Sequence, residues 1–589
     1  MYFSHPSPSL DRTTPMWLPS SACGRRSATA LLQAAALSHT SSGGGGASGF
    51  ITPSRPSFSQ SRLLPAAATR ARRPAAQGGY SKVPETSGAC RGSGSRADRS
   101  SSNGPAAETT GLMAASSSST AGEARTGGHQ QQEEEEEEEE EFVLPRAPLP
   151  EIIVSNVPGS WAYDTMSRRL WENILMRVYD DNDMEKPDMA SAKAGLDALV
   201  KELKTAGTSK LRPIAEDGGP EVAEWNKIME PYLGLSWLDT PWLYSEFYAY
   251  RRVMEAFSFF KTGERSEKEN ASTSTHLSRI WTIRVDPFMA QKMLGVTSAL
   301  RSMETLAERL LATDVDVLRS KSGIKLYTTA ALWGNRMDLS IWPVEKATDG
   351  ENSAGSGDVF SQVLESSSEN LLADDSDRLA EVLAACGERG GERVDIVVDN
   401  AGFELFCDLC LADCLATGGT ASRVVIQLKG HPTFVSDAMA KDMMAMIDLL
   451  ADQDAAAYPS AKAVGERWKQ LIADGKWELR EEFFWAQPRP LWEMPTRIRK
   501  ELRDESSMVF VKGDANYRRL IGDRLWSTDT PFSDVAGYFP SRLCALRTLK
   551  AELGCGMSKE GTERAARQHD DWMVNGRYGC IQLFDPASD

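Results

Sequence analysis

The sequence predicts an α/β fold of three layers, α/β/α, in which helices cover both faces of a mostly parallel, Rossmann-like sheet. The first observation is a short apolar run, Val394 to Val398, that stops at an Asp-Asn pair and is followed by a glycine and a helical pattern. A run bounded in this way is typical of a buried parallel strand. The second observation is that strand and helix patterns alternate from there onward, which favours βαβ units.

Residues 1–149 are expected to lie outside this fold as a disordered extension. The segment is rich in Ser, Gly, Ala, Pro and Arg and ends near a run of nine glutamates, Glu133 to Glu141. It therefore has too little apolar surface to offset its conformational entropy. Its first 100 residues hold 12 Lys or Arg and only three acidic residues, which is the composition of an organelle transit peptide. A low-complexity extension without a targeting role explains the same composition equally well.

Residues 150–311 carry a helical pattern and are predicted to form a cap region on the domain that follows. Apolar residues recur at helical spacing from Met166 to Val178 and from Leu196 to Leu203. An aromatic helix follows Pro241, a polar loop is predicted at 262–275, and another helix is predicted from about residue 287 to residue 311.

Residues 312–589 are predicted to form the α/β domain. It contains an acidic, Ser-rich insert at 346–377. The predicted elements are strands at 394–398, 423–428 and 508–511 and helices at 403–416, 438–451 and 461–473.

The composition excludes several classes of protein. The chain has 589 residues and a formal net charge of −17, which disfavours general binding to nucleic acid or to an anionic membrane. No apolar run reaches the roughly 18 residues that a transmembrane helix needs. Nine cysteines without a framework spacing favour a reducing compartment, and Cys407, Cys410 and Cys414 are interpreted as packing residues of a helix. We expect a cytoplasmic or organellar protein (plastid or mitochondrion), not a secreted one.

Polar side chains follow two of the predicted strands at the point where each strand ends. Asp399 and Asn400 come directly after the first, and Asp437 lies just past the next strand and its turn. Because ligands of open α/β sheets bind beyond the carboxyl ends of the strands, these side chains are expected to come together. Two carboxylates and an amide oxygen suit Mg²⁺ or Mn²⁺. Zinc is disfavoured, because only three histidines lie after residue 149 and none has a paired Cys–His spacing. Each position taken alone is also an ordinary helix N-cap.

A second polar group follows the predicted strand at 508–511. Gly513 and Asp514 come at the same sheet edge, and the stretch from 508 to 550 is locally basic in an acidic protein. The combination indicates an anion pocket, with Arg547 and Lys550 as its later members. Ordinary surface charge accounts for the pattern about as well.

Six short segments along the body carry a resemblance. They are Pro-Trp-Leu-Tyr-Ser-Glu-Phe-Tyr-Ala-Tyr-Arg-Arg at 241–252, Leu-Trp-Gly-Asn at 332–335, Asp-Asn-Ala-Gly-Phe-Glu at 399–404, Phe-Val-Ser-Asp at 434–437, Gly-Asp-Ala-Asn-Tyr-Arg at 513–518 and Arg-Thr-Leu-Lys at 547–550. Together, and in this order, they resemble the metal-dependent damage-control phosphatases, in the subgroup also called acidic-residue methyltransferase-like proteins. The segment at 434–437 departs in one respect, because Thr433 stands where members often have Trp.

The resemblance implies the roles of individual residues. It places the metal ligands, which are also catalytic, on Asp399, Asn400 and Asp437, and it places a substrate-contacting carboxylate on Glu404. The ion implied is Mn²⁺, Ni²⁺, Co²⁺ or Mg²⁺.

The resemblance also implies the phosphate-binding residues. These fall on the loop Gly513, Asp514, Ala515, Asn516 and Tyr517 and on the Arg-Thr-x-Lys motif of Arg547, Thr548 and Lys550, with Lys550 reaching the phosphate as a catalytic group.

The expected reaction is hydrolysis of a sugar phosphate such as fructose 1-phosphate or fructose 6-phosphate, or of a related damaged phosphometabolite, by a metal-activated water. The first alternative is S-adenosylmethionine-dependent methylation of protein glutamates, although only one glycine follows Val398 within five residues, where such enzymes place a glycine-rich turn. The second is a non-catalytic sugar-phosphate sensor. No nucleic-acid or membrane partner is expected, and the oligomeric state is left open.

Overall fold

The computed structural model describes residues 142–261, 286–334 and 368–588. The predicted transit peptide, the glutamate run, the loop at 262–275, Asn335 and most of the acidic insert lie outside these ranges, and those expectations stay predictions.

Seven strands form one sheet. They are β1 (Leu371–Asp374), β2 (Glu392–Val397), β3 (Ala421–Lys429), β4 (Trp477–Glu482), β5 (Ser506–Lys512), β6 (Leu543–Thr548) and β7 (Gly579–Phe584). The strand order is β1-β7-β6-β5-β2-β3-β4, and β2 to β6 run parallel. Strand β7 runs antiparallel to β6, and β1 runs parallel to β7. The mostly parallel α/β fold is confirmed, and the three predicted strands are β2, β3 and β5.

Helices account for most of the remaining described residues. The N-terminal ones are α1 (consecutive segments Trp161–Asp164, Thr165–Leu175 with π-helical hydrogen bonds, and Met176–Asp181), α2 (Ala190–Lys204), α3 (Val222–Met229), α4 (Trp242–Ala256), α5 (Met289–Ser298), α6 (Leu300–Ala312), α7 (Val315–Arg319) and α8 (Lys321–Trp333). The later ones are α9 (Ser376–Glu388), α10 (Phe403–Thr417), α11 (Ala440–Ala451), α12 (Pro459–Ala473), α13 (Thr496–Glu505), α14 (Asp514–Leu520), α15 (Phe532–Ala536) and α16 (Lys559–Gln568).

The helices lie in two layers, because successive side chains of a strand face opposite sides of the sheet. Val394 and Ile396 of β2 belong to a buried cluster with residues of α5 to α12. Val397 belongs to a second cluster with residues of α1 to α4 and α13 to α15. The three-layer arrangement is therefore confirmed. The boundary of a helical cap at residue 311 stays a prediction, since α1–α4 lie in one layer and α5 and α6 in the other.

Helix α10 lies in the layer formed by α5 to α12 and is buried along nearly its whole length. Its three cysteines, Cys407, Cys410 and Cys414, are free thiols with no exposed surface. Burial raises the pKa of each thiol, so none is a reactive thiolate. The interpretation as packing residues is confirmed. In the three described ranges no helix is long and apolar enough to cross a membrane.

Candidate active site

The end of β2 is a sharp turn into α10. Strand β2 ends at Val397 and α10 begins at Phe403. Between them Gly402 has a φ of 80°, a conformation that favours glycine. Gly402 occupies the N-cap position, and no side chain caps the helix. The alternative that Asp399 and Asn400 cap α10 is therefore wrong, and their polar groups are available for another role.

Asp437 is not a cap either. Helix α11 has Met439 at its N-cap, and the backbone N–H of Met439 donates to Asp442 Oδ2 at 3.1 Å. Asp437 instead forms an isolated antiparallel bridge with Asn400. The structure thus brings the ends of β2 and β3 together, as the sequence predicted, and we call Asp399, Asn400 and Asp437 the acidic corner.

The turn that carries Asp437 is strained. Phe434 has a φ of 44° and Val435 a φ of 67°, and neither is a glycine. Such backbone persists only where the surroundings hold it, and it is concentrated at functional sites. Here the Phe434 ring packs against Phe247 at 4.7 Å and against Tyr250 at 4.8 Å between ring centroids. Helix α4 therefore fixes the turn that positions a candidate metal ligand.

Asn400 is oriented by its neighbours. Its Nδ2 donates to Asp399 Oδ2 at 3.1 Å and to Glu404 Oε2 at 2.9 Å. Its Oδ1 accepts a hydrogen bond from Ser436 Oγ at 2.6 Å. Because two carboxylates hold the amide nitrogen, the amide oxygen is directed away from them and remains the atom able to bind a cation.

The acidic corner fits a divalent cation. Burial, together with Asp437, raises the pKa of Asp399 well above its usual range. Burial also raises the pKa of Asp437, against the effect of Lys429. Asp399 Oδ1 is buried and accepts no hydrogen bond from the described residues. A bound cation would supply both the missing charge and the missing partner.

The candidate metal ligands are two carboxylates and one amide oxygen. Because one of them is an amide, the set differs from metal motifs built only from His, Cys, Asp and Glu. Among the described residues, no group of three or more His, Cys, Asp or Glu side chains is arranged to hold a metal. An oxygen set of this kind suits a hard ion that keeps several waters.

Lys429 was missed by the sequence analysis. It is the last residue of β3, and its Nζ donates to Asp437 Oδ2 at 2.9 Å and to Asn516 Oδ1 at 3.4 Å. Asp399 Oδ1 lies 3.9 Å from the same Nζ. The available signal was a lysine at the end of an apolar strand, since a buried lysine needs an acidic partner.

Gly513 packs directly against the acidic corner. It follows β5, which is the neighbour of β2 in the sheet. Its φ is 87°, and a Cβ built on it would lie 1.9 Å from Asp399 Oδ2. Only glycine allows the backbone to approach this closely. The predicted loop and the predicted metal ligands are therefore adjacent.

The remaining loop residues have different surroundings. Asn516 donates to the carbonyl oxygen of Lys512 at 2.8 Å. Tyr517 is buried, and its hydroxyl donates to Gln582 Oε1 at 2.8 Å, on the core side of α14. Ala515 is half-buried. A direct contact of Tyr517 with substrate stays a prediction.

Arg547 organises the loop that carries Lys550. Its guanidinium is fully buried and donates to Asp514 Oδ1 at 2.7 Å and to two backbone carbonyls, at 2.8 and 3.1 Å. Asp514 Oδ1 also accepts the backbone N–H of Lys550 at 3.1 Å. The Lys550 side chain is exposed, and its charge acts to lower the pKa of Asp399. Lys550 thus lies beside the corner, whereas Arg547 is held by protein acceptors and its role at the substrate stays a prediction.

A second buried lysine lies behind the corner. Lys512 Nζ is 3.2 Å from Asp408 Oδ1 and 3.8 Å from Glu404 Oε1. Burial raises the pKa of Asp408 to about 8, against the effect of Lys512. Sequence reasoning missed Lys512 and Asp408, although Asp408 follows Glu404 by one helical turn. Glu404 is therefore linked both to Asn400 and to a buried cation.

Polar residues of the N-terminal helices face the same region. Glu246 Oε2 accepts a hydrogen bond from Arg518 Nη1 at 2.6 Å. Burial raises the pKa of Tyr250 well above its usual range; Glu246 and Asp437 add to the rise, and Arg169 opposes it. These groups were not assigned roles individually, and the available signals were the motifs at 241–252 and 513–518.

Comparisons with known proteins agree with this geometry. A family model described as the damage-control phosphatase ARMT1-like domain matches residues 166–565. The damage-control phosphatase ARMT1 of Danio rerio is 30% identical over 466 residues, which covers 74% of this chain and 97% of the relative. The ARMT1 of Homo sapiens is 29% identical, covering 73% and 97%, and that of Xenopus tropicalis is 31% identical, covering 72% and 96%.

A solved structure was also found. It is a DUF89 family protein from Pyrococcus horikoshii, 14% identical, with a TM-score of 0.35 and coverage of 70% of this chain and 97% of that one. A likeness at that level adds no argument. The matched range 166–565 contains the acidic corner, the 513–517 loop and Lys550. This protein belongs to the ARMT1-like damage-control phosphatase family, and that membership supports a phosphatase activity on a small molecule.

Proposed function

We propose that the protein is a metal-dependent phosphatase that hydrolyses the phosphate monoester of a small sugar phosphate. Fructose 1-phosphate and fructose 6-phosphate are the first candidates, and related damaged phosphometabolites come next. The observation that carries the proposal is the contact between the buried carboxylate of Asp399, whose Oδ1 has no hydrogen-bond donor, and the loop at Gly513. Family membership supports the reaction class.

Asp399, Asn400 and Asp437 would hold the ion. When bound, the ion supplies a Lewis acid for a phosphoryl oxygen and lowers the pKa of a water. Asn400 is already oriented for this role by Asp399 and Glu404. Asp399 would also accept a hydrogen bond from the attacking water and so direct it.

The loop and Lys550 would bind the phosphate. The loop begins at Gly513, which packs directly against Asp399. The first N–H groups of α14, which follows it, have no intrahelical acceptor. The backbone of Lys550 is fixed through Asp514, while its exposed ammonium remains free to reach an oxygen of the phosphate. Donors held in place in this way stabilise the negative charge that spreads over the phosphoryl oxygens in the transition state.

Glu404 would hold the sugar. Its carboxylate lies 2.9 Å from Asn400 Nδ2 and faces Lys512 on the other side. Carboxylate oxygens accept hydrogen bonds from sugar hydroxyls.

The test is a screen of the full chain for phosphate release from sugar phosphates with Mn²⁺, Mg²⁺, Ni²⁺ or Co²⁺. We expect turnover of a fructose phosphate that is lost on chelation. Lys550→Ala is expected to lower kcat about 100-fold, because one transition-state donor is removed. Lys559→Ala, at an exposed lysine that begins α16, is the matched control and should not change turnover. Absence of phosphate release with every metal would refute the proposal.

Both alternatives have distinct outcomes in the same assays. Methylation requires that the protein bind S-adenosylmethionine in calorimetry and transfer its methyl group to protein glutamates, and we expect neither. A sensor would bind a sugar phosphate without releasing phosphate.

A further inference from the structure

Lys429 lies at unequal distances from the two carboxylates of the acidic corner. Its side chain has no exposed surface. Its Nζ hydrogen-bonds Asp437 at 2.9 Å, but it stays 3.9 Å from Asp399, beyond hydrogen-bond distance. Its remaining contact is neutral, with Asn516. One ammonium therefore faces two buried carboxylates and bonds only one of them.

In a second buried ion cluster of the same protein, the positive and negative charges are equal in number. Lys292 lies 3.0 Å from Asp286 and 2.7 Å from Asp442. Lys441 lies 2.6 Å from each of the same two carboxylates. We call these four residues the charge quartet. Two cations balance two carboxylates there, and each cation contacts both.

Among the described residues, no second cation contacts the carboxylates of the acidic corner. Lys512 cannot supply it, because its contacts are to Asp408, Glu404 and a backbone carbonyl. Lys550 has its side chain in solvent. The corner is therefore short of positive charge at Asp399, while Lys429 already occupies Asp437, one of the predicted ligands.

We propose that Lys429 is a resident counter-ion and a positioning residue of the metal site: it holds Asp437 in place before the metal binds and competes with the metal for that carboxylate. The inference rests on the proposed metal-dependent function. A fixed positive charge 2.9 Å from Asp437 and 3.9 Å from Asp399 repels a dication, so it weakens binding. The ligands would thus be held in place before the metal binds. The metal itself would bind weakly and exchange readily.

The experiment measures Mn²⁺ binding to the metal-free full chain, without substrate, by calorimetry and by thermal shift. Lys429→Met is expected to bind Mn²⁺ about tenfold more tightly than the wild type, because the competing charge is gone. Its metal-free melting temperature should be lower, and the rise on adding Mn²⁺ should be larger, since a ligand that binds only the folded state stabilises it according to its affinity.

Two further variants separate a positioning role from a structural one. Lys429→Gln keeps a hydrogen-bond donor near Asp437 without the charge, so it should also bind Mn²⁺ more tightly. Lys441→Met removes the other lysine of the charge quartet, so the melting temperature should fall while the Mn²⁺ affinity stays at the wild-type value.

The outcomes distinguish this inference from the proposed function. Mn²⁺ binding to both Lys429 variants that is no tighter than in the wild type overturns the inference alone, provided that the wild type binds Mn²⁺ and releases phosphate. Absence of Mn²⁺ binding to the wild type overturns both. Failure of both Lys429 variants to fold in millimolar Mn²⁺ also overturns the inference, because the ion is expected to replace the lost charge.

Discussion

Asp286 of the charge quartet and Asp399 of the acidic corner are similarly buried, yet their pKa values move in opposite directions. Burial acts to raise the pKa of Asp286, but Lys292 and Lys441 outweigh it and the pKa is lowered. Burial raises the pKa of Asp399, and the neighbouring Asp437 raises it further than Lys429 can lower it. The difference teaches that a buried carboxylate stabilises this fold only where its charge is matched. The unmatched one lies at the candidate metal site.

The largest expected effect comes from Asp399→Asn, a change of one atom type with the same shape. Phosphate release should fall by about three orders of magnitude or more, because a ligand and the acceptor for the water are both lost. Activity is measured with a fructose phosphate and Mn²⁺. The melting temperature of the metal-free protein should stay the same or rise, since the variant removes an unmatched charge. Activity within tenfold of the wild type would contradict this role of Asp399.

The corresponding substitution in the charge quartet should lower the stability of the protein and leave its activity nearly unchanged. Asp286→Asn is expected to lower the free energy of unfolding by about 3–5 kcal/mol, because it leaves Lys292 and Lys441 to share Asp442. The free energy of unfolding is measured by urea denaturation. Kcat per folded molecule should change little, and an unfolding free energy equal to that of the wild type would show that the quartet is not a structural ion cluster.

Gly513→Ala tests the contact between the loop and the corner. The added Cβ would collide with Asp399, so we expect a loss of about 10–100-fold in kcat/KM from a displacement on the order of 1 Å. Gly475→Ala is the matched control, because Gly475 also has a positive φ, of 67°, but open space around its Cβ position. It should cost some stability and no activity. Equal activity losses in both variants would attribute the effect to backbone strain alone.

The smallest expected effect is a change in pH dependence. The pKa of Asp408 is raised in the folded state to about 8, so the folded protein holds a proton that the unfolded chain releases near pH 4. Stability should therefore decline as the pH rises between these two values. Asp408→Asn should flatten the decline in melting temperature between about pH 5 and pH 8. An unchanged slope would show that Asp408 is ionised throughout.

The βαβ unit could be predicted from the sequence because each signal was local. Strands β2, β3 and β5 are short apolar runs that end in polar turns, and the predicted bounds differ from the observed ones by only a few residues. Strand β4 was missed because it is an edge strand with mostly half-buried residues and thus no apolar run. The helix predicted from 287 to 311 is two helices, α5 and α6, separated at Ala299.

The candidate site could be predicted only in part. The residues that end strands could be found, because parallel strand ends share one edge of a sheet. Lys429 and Lys512 could not, because a long side chain reaches beyond its own strand and the strand order decides what it meets. Strand β2 lies between β3 and β5, so both lysines extend toward its end from opposite sides. That order is not encoded in any single segment.

The packing of α4 against the turn at Phe434 has a consequence for synthesis on the ribosome. Phe247 and Tyr250 hold a strained turn that lies far along the chain. At typical translation rates the two rings leave the ribosome roughly 10 to 40 s before that turn. Helix α4 is thus already available to pack against the turn when the segment with Asp437 emerges. A nascent chain stopped before Phe434 would contain helix α4 but not Asp437. A chain lacking the N-terminal helices would carry Asp437 on a turn without the two aromatic rings that pack against it.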